Sequence, residues 1–257
     1  LTQENIDAMA NGLILPYLGM ALFIGVLAAA LLISPLPELA KEDDESTSGS
    51  RSQILEALSH PRLALGVAAI FFYVAVEVIA GDTIGTFALS LGVKNYAVMT
   101  SYTMLCMVVG YLIGILVIPR FITQQTALAA SAIFGSLIVL CIVFGDSQSF
   151  AIANAILVPF GGTALPDTLL FIAVLGLANA IVWPAVWPLA LSGMGKLTSV
   201  GSGLLVMGIA GGAFGPLIWG LSSGGSWGMQ GGYMVMLPCY LFILFYAIKG
   251  HKLTSWK

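Results

Sequence analysis

Seven apolar runs, each long enough to cross the hydrocarbon of a bilayer, fix the class of fold open to this chain. They fall at about 13–34, 63–91, 97–118, 126–145, 168–191, 199–221 and 233–248. A membrane-spanning helix needs roughly 20 apolar residues, and in lipid only helices or closed barrels satisfy all of their own backbone polar groups. The runs are continuously apolar rather than alternating, which selects helices over a barrel. Composition agrees, because only 8% of the 257 residues are charged, against roughly 25% in ordinary soluble domains. An all-α membrane protein of about seven transmembrane helices in the lipid bilayer follows, with no sizeable soluble domain.

The basic residues test that count. With seven spans, Lys41, Arg51, Arg62, Arg120, Lys196, Lys249, Lys252 and Lys257 share one side of the membrane, and Lys94 alone lies on the other. This positive-inside bias predicts an outside N-terminal tail and a cytoplasmic C-terminus. The stretch 150–166 is short and interrupted by Pro159, Gly161, Gly162 and Pro166. It reads as a re-entrant or interfacial loop, since an eighth span there would carry Lys196 and the three C-terminal lysines to the outer side. Three segments result: 1–34, an outside tail and first transmembrane helix; 35–62, a cytoplasmic linker containing the acidic "KEDDESTSG"; and 63–257, a block of six helices. In the linker, "RSQILEAL" is expected to form a short helix ending before Pro61. The opening "LTQENIDAMANG" lacks an initiator Met and a signal-peptide pattern, and reads like the middle of a longer chain.

The net charge of -3 resides mostly in that acidic loop and does not suggest nucleic acid binding. Cys106, Cys141 and Cys239 lie inside apolar runs, where a thiol behaves as a small hydrophobe, and they have no metal-ligand spacing. His60 and His251 stand at the edges of the runs, and HExxH, Walker A and GxSxG motifs are absent. A soluble enzyme, a cofactor and a metal site are not expected. A membrane-embedded enzyme is disfavoured, because one central acid and one Asn make a thin active site.

Polar residues in the apolar runs carry what chemistry there is. Glu77, near the centre of the second run, has no charged residue within four positions on either side. An acid at membrane depth costs several kcal/mol on the order of insertion estimates, and such residues mark solute or ion pathways. Glu77 is therefore a candidate proton or cation coupling site, or a hydrogen-bonding group for a polar solute. The alternative is a neutral Glu bonded to a neighbouring helix. Tyr73, four residues earlier, shares its face. Asp82 lies closer to the helix end and is either part of the same site or a partly solvated polar residue. Asn179, Trp183 and Trp187 stand at i, i+4 and i+8, presenting an amide and two indoles on one face. A sugar needs that pairing of directed hydrogen bonds and a flat apolar surface; the same residues also serve as interhelical glue and packing. Pro184 and Pro188 bend this helix. Gly208 with Gly212, and Gly211 with Gly215, form small faces of the kind that let membrane helices pack closely.

"HPRLALGVAAIFFYVAVEV", "VGYLIGILVIPRFI", "LPYLGMALFIGVLAAALLISPLPEL" and, most specifically, "LGLANAIVWPAVWPLALSGMGKLTSVGSGLLVMGIAGGAFGP" resemble, in order, blocks of the fucose and glucose/galactose permease family of the major facilitator superfamily. The resemblance covers most of the chain. It implies a twelve-helix secondary transporter in a bacterial inner membrane, whose two six-helix halves rock around a central sugar site, with uptake coupled to H+ or Na+. On that mapping this chain is the sixth helix plus the C-terminal half. A missing N-terminal half, or another copy of the chain, would then complete the cavity. The runs 63–91 and 168–191 correspond to the cavity-lining seventh and tenth helices, which places Glu77, Asn179 and Trp183 at the cavity. The pattern around Tyr73 and Glu77 is nearer the glucose/galactose branch. The family's acidic coupling residues belong to the N-terminal half, so Glu77 gains no role by analogy, and 146–167 is longer than the expected outer loop. A competing expectation is a non-transporting sensor or scaffold derived from a half-transporter.

Overall fold

The computed structural model describes residues 3–33, 51–118 and 120–256. The chain divides into two units, Leu1–Thr47 and Ser48–Lys257. The first holds helix α1 (Gln3–Ile33), with Pro16 inside it and an apolar run over Ile14–Ala30. The acidic stretch 41–45 lies outside the described residues.

The second unit opens with α2 (Arg51–Ser59), the short helix expected from "RSQILEAL", whose buried Ala57 faces the bundle. Next comes α3 (Pro61–Ser90), which begins with Pro61 at its first position, where the missing N–H costs nothing. Then come α4 (Met99–Val117), α5 (Gln124–Phe144), α6 (Ala151–Leu157), α7 (Asp167–Ala180), α8 (Val182–Leu191), α9 (Thr198–Met207), α10 (Gly211–Ser223), α11 (Gly228–Gly232) and α12 (Met236–Ile248). Among the described residues six segments are long and apolar enough to cross a membrane: Pro61–Ser90, Tyr96–Val117, Gln124–Phe144, Asp167–Leu191, Gly195–Ser223 and Gly228–Lys252.

Several α-helical labels share one span because these helices are interrupted. The Asp167–Leu191 span breaks at Ile181. Pro184 has no N–H to give the Ala180 carbonyl, and Pro188 none for Pro184, so two regular rungs are lost within one turn. The span Gly195–Ser223 tightens into a 3-10 turn at Gly208–Ala210, and Gly228–Lys252 does so at Tyr233–Val235.

Helix α3 is the hub. It packs against α4, α7, α8, α10 and α12, and in its middle Ile70, Tyr73, Val76, Ile79 and Ala80 are almost fully buried. The four glycines of the small face meet it directly. A Cβ on Gly208 would stand 2.8 Å from Ile70, and one on Gly212 3.1 Å from Val78. Gly211 and Gly215 approach the backbone itself, with their Cβ positions 1.9 Å from the Phe71 carbonyl oxygen and 2.6 Å from that of Ala75. Small residues of this kind bring membrane helices into backbone contact, so that dispersion acts over many atoms. On the other side, α4 lies against α7 in the same way through Gly110 and Gly176.

The stretch 146–167 forms a folded corner. Helix α6 runs into a 3-10 turn, Val158–Phe160, and ends at Gly161 with φ +78°. The Gly162 amide returns to the Leu157 carbonyl at 2.9 Å and the Gly161 amide to Val158 at 3.0 Å. These two bonds form a Schellman ending, which needs the left-handed conformation at Gly161. Buried Asp167 ties the corner to α7. Its carboxylate accepts from Ser149 Oγ at 2.5 Å and from the Ala153 amide at 2.7 Å.

Candidate functional site

A groove of about 290 Å³ opens between the end of α4 and the break in the α7–α8 span. Its walls include Tyr111, Gly114 and Ile118 from the α4 side, and Ala180, Trp183 and Pro184 at the break. The kink places Trp183 on this wall while leaving it packed on the core. Its indole stands 6.2 Å from the Tyr73 ring at 49°, and 5.6 Å from the Trp187 indole at 51°. Centroid separations of this order suit tilted aromatic pairs. Three aromatic rings from α3 and α8 thus pack in one continuous row, of which Trp183 reaches the groove.

The buried end of that row is the polar part of the site. Tyr73 is buried, and its hydroxyl is flanked by the half-buried Glu77 carboxyl and the Tyr111 hydroxyl. Glu77 and Tyr73 are one helical turn apart, so α3 presents them together, and α4 supplies Tyr111 opposite. Among the described residues no Lys or Arg stands beside Glu77. An acid with tyrosine hydroxyls for neighbours and no cation can exchange a proton, face a monovalent cation, or hold a polyol. It is not an ion pair serving structure alone.

Asn179 occupies a different place. It is fully buried, and its Oδ1 accepts a hydrogen bond from the Tyr240 hydroxyl at 2.8 Å, joining α7 to α12. Its Nδ2 is buried without a partner, as is Trp187 Nε1. The helix break between Asn179 and Trp183 interrupts the single face that regular spacing gives them. Tyr240 in turn needs Gly135 on α5, where an added Cβ would lie 2.4 Å from its ring. Loss of the hydroxyl in Tyr240→Phe leaves the whole Asn179 amide unsatisfied, at a cost of about 1–3 kcal/mol. We expect a lower unfolding temperature in detergent for this variant, and recovery of most of the loss in Tyr240→Phe/Asn179→Leu, where neither polar partner remains. An unfolding temperature unaffected by Tyr240→Phe would show that the bond contributes nothing.

Asp82 is exposed and lies five residues beyond Glu77, roughly 140° around the helix, so it is not brought to the Tyr73–Glu77 face. The buried polar residue nearby is Thr83, which donates to the Ile79 carbonyl at 2.6 Å and accepts from Tyr233 at 2.8 Å. The four glycines stand at the α3 contact, away from the groove. Among the described residues no cluster of His, Cys, Asp and Glu could hold a metal ion. Cys106 and Cys239 are half-buried, and Cys141 is exposed on the bundle surface. Tyr111 has no part in the expectations from the sequence, where its only local signal is its place in "VGYLIG", between two glycines that bring α4 to the helix break.

No family model matches the chain. It is 31% identical over 256 residues to a glucose/galactose transporter of Brucella abortus, an alignment that covers 98% of this chain and 57% of that protein. It is 32% identical over 252 residues to a putative glucose/galactose transporter of Helicobacter pylori, covering 95% of this chain and 56% of the relative. The chain therefore spans little more than half the length of the curated relatives it matches. Among solved structures it superimposes on the major facilitator superfamily transporter FucP, in its outward conformation, with a TM-score of 0.74 at 21% identity; the match covers 96% of this chain and 57% of that one.

Proposed function

We propose, for a chain whose sequence and fold fit the C-terminal half of the fucose and glucose/galactose permease family of the major facilitator superfamily, that it forms one wall of the solute pathway of a hexose transporter. The observation that carries this reading is a groove beside a broken helix that Trp183 and Tyr111 line, with both side chains reaching the buried Tyr73 and, through it, Glu77. An indole suits the C–H face of a pyranose, and the carboxyl and phenol groups suit its hydroxyls. Relatives called glucose/galactose transporters support the choice of solute.

The rest of the pathway comes from the other half of the transporter, or from a second copy of this chain. In the same reading α1 is a seventh span, the N-terminal tail lies outside and the C-terminus is cytoplasmic, in line with the placement of the basic residues. Transport proceeds by alternating access, coupled to H+ or Na+ through Glu77. Coupling of that kind requires sugar and ion to prefer one orientation over the other, because a ligand with equal affinity for both shifts nothing.

The test is hexose-dependent thermal stabilisation of the full-length transporter, across a sugar panel, at two pH values and with or without sodium. We expect selective stabilisation by one or a few hexoses. Trp183→Ala should weaken it roughly threefold to tenfold, the scale of one aromatic contact. Failure of every hexose to stabilise the wild type, or an unaltered response in Trp183→Ala, would remove the sugar site from this groove.

A further inference from the structure

Apart from the groove, at one end of the bundle, three spans meet around a separate polar cavity of about 360 Å³ lined by Arg62, Leu189, Ser192, His251 and Lys252. Arg62 is in the first turn of α3, Ser192 comes directly after α8, and His251 and Lys252 belong to the 3-10 turn Gly250–Lys252 after α12. The walls are fixed. Arg62 Nη1 donates to the Ser192 carbonyl at 2.8 Å, and the Arg62 carbonyl accepts from the Tyr246 hydroxyl at 3.3 Å. His251 is buried and held twice, by Nδ1 against the Tyr246 carbonyl and by Nε2 against the Gln125 side-chain amide, both at 3.0 Å.

These bonds leave most of the Arg62 guanidinium donors free, and Lys252 lines the same cavity. The guanidinium is a flat fork with five N–H donors, of which the Ser192 contact uses one; the ammonium is a mobile point charge. Among the described residues no carboxylate lines the cavity. Leu189 supplies an apolar wall, and the cavity lies where three apolar spans have their ends, the level at which a spanning helix meets headgroups. A fork and a point charge over a concave surface match the oxygens of a phosphate, and basic pockets between membrane helices take anionic headgroups. We infer that this cavity binds a phosphate group bearing net negative charge, as presented by an anionic phospholipid or by free phosphate. The inference is independent of the transported solute.

The experiment measures the unfolding temperature of the purified full-length protein in detergent micelles carrying phosphatidylglycerol, phosphatidylcholine, or neither with added inorganic phosphate. Phosphatidylglycerol should raise it above phosphatidylcholine. Lys252 is exposed, so Lys252→Gln leaves the fold intact and should need roughly five-fold more phosphatidylglycerol for the same shift. Lys252→Arg should restore the response. Lys249→Gln, which removes an exposed lysine outside the cavity, should behave as wild type. A shift with the lipid alone assigns the site to a headgroup; an equal shift with inorganic phosphate, lost in Lys252→Gln, assigns it to the free ion. Equal losses in Lys249→Gln and Lys252→Gln would mean bulk charge attraction and overturn the site, as would no shift with either phosphate source.

Discussion

Replacing Gly211 by alanine, a single added carbon, is expected to prevent α10 from seating on α3. The new Cβ would lie 1.9 Å from the Phe71 carbonyl oxygen and 2.7 Å from its carbon. Those atoms belong to the middle of a buried helix, so no side chain can rotate away, and either the two helices separate or α3 distorts. Overpacking in a core that can adjust costs about 1–3 kcal/mol; here the cost should reach at least the upper end, about 3 kcal/mol. Gly220, on the same helix, provides the internal control, since a Cβ there meets nothing within 4 Å. Alanine at that position should be neutral or stabilising by up to about 1 kcal/mol through helix propensity. Thermal unfolding of the two variants in one detergent separates the contributions. Similar unfolding temperatures for Gly211→Ala and Gly220→Ala would mean that the close approach of α10 and α3 does not hold the bundle together.

Glu77→Gln is the second large effect, and it rests on the proposed transport function. The amide keeps the size and much of the hydrogen bonding of the acid but can neither ionise nor take up a proton. Tyr73 therefore keeps its partner, and sugar binding should persist. Concentrative uptake by the full-length transporter should fall by on the order of tenfold, within the usual range of coupling between two ligands, while sugar exchange at equal concentrations continues. Unchanged accumulation with an unchanged ion dependence would show that Glu77 is a passive member of the site. Loss of exchange as well as accumulation would place it in sugar binding itself.

Legibility in the sequence depends on the range over which each interaction acts. Apolar length is a local property, so the six spans of the second unit are legible in their order and approximate limits, and the all-helical fold of the superfamily is legible with them. Tyr73 and Glu77 are recognised as neighbours because one intact helix carries both. Asn179, Trp183 and Trp187 have equally regular spacing, yet the helix breaks at Ile181, between the first and second of them, where Pro184 leaves the Ala180 carbonyl without its rung, and one face becomes two. Asn179 then turns to Tyr240, a partner 61 residues away, which no periodicity announces. Tyr111 is invisible for a related reason, since its meaning comes from Tyr73 on a different helix, α3. Asp167, at the end of a stretch without regular pattern, gains its role only when Ser149 and Ala153 fold back to it.

The glycine contact also sets a length. Gly208, Gly211, Gly212 and Gly215 meet α3 because of their angular positions, and each residue added to a helix rotates every later residue by about 100°. One residue inserted between Gly208 and Gly211 would bring Phe214 to the place where Gly215 now touches the Ala75 backbone; one removed there would bring Pro216. Both the bulk of a ring and the stiffness of an imino acid are incompatible with that spacing. Across these eight residues the chain is a ruler, less tolerant of a change in residue count than of many changes in residue type on its outward face.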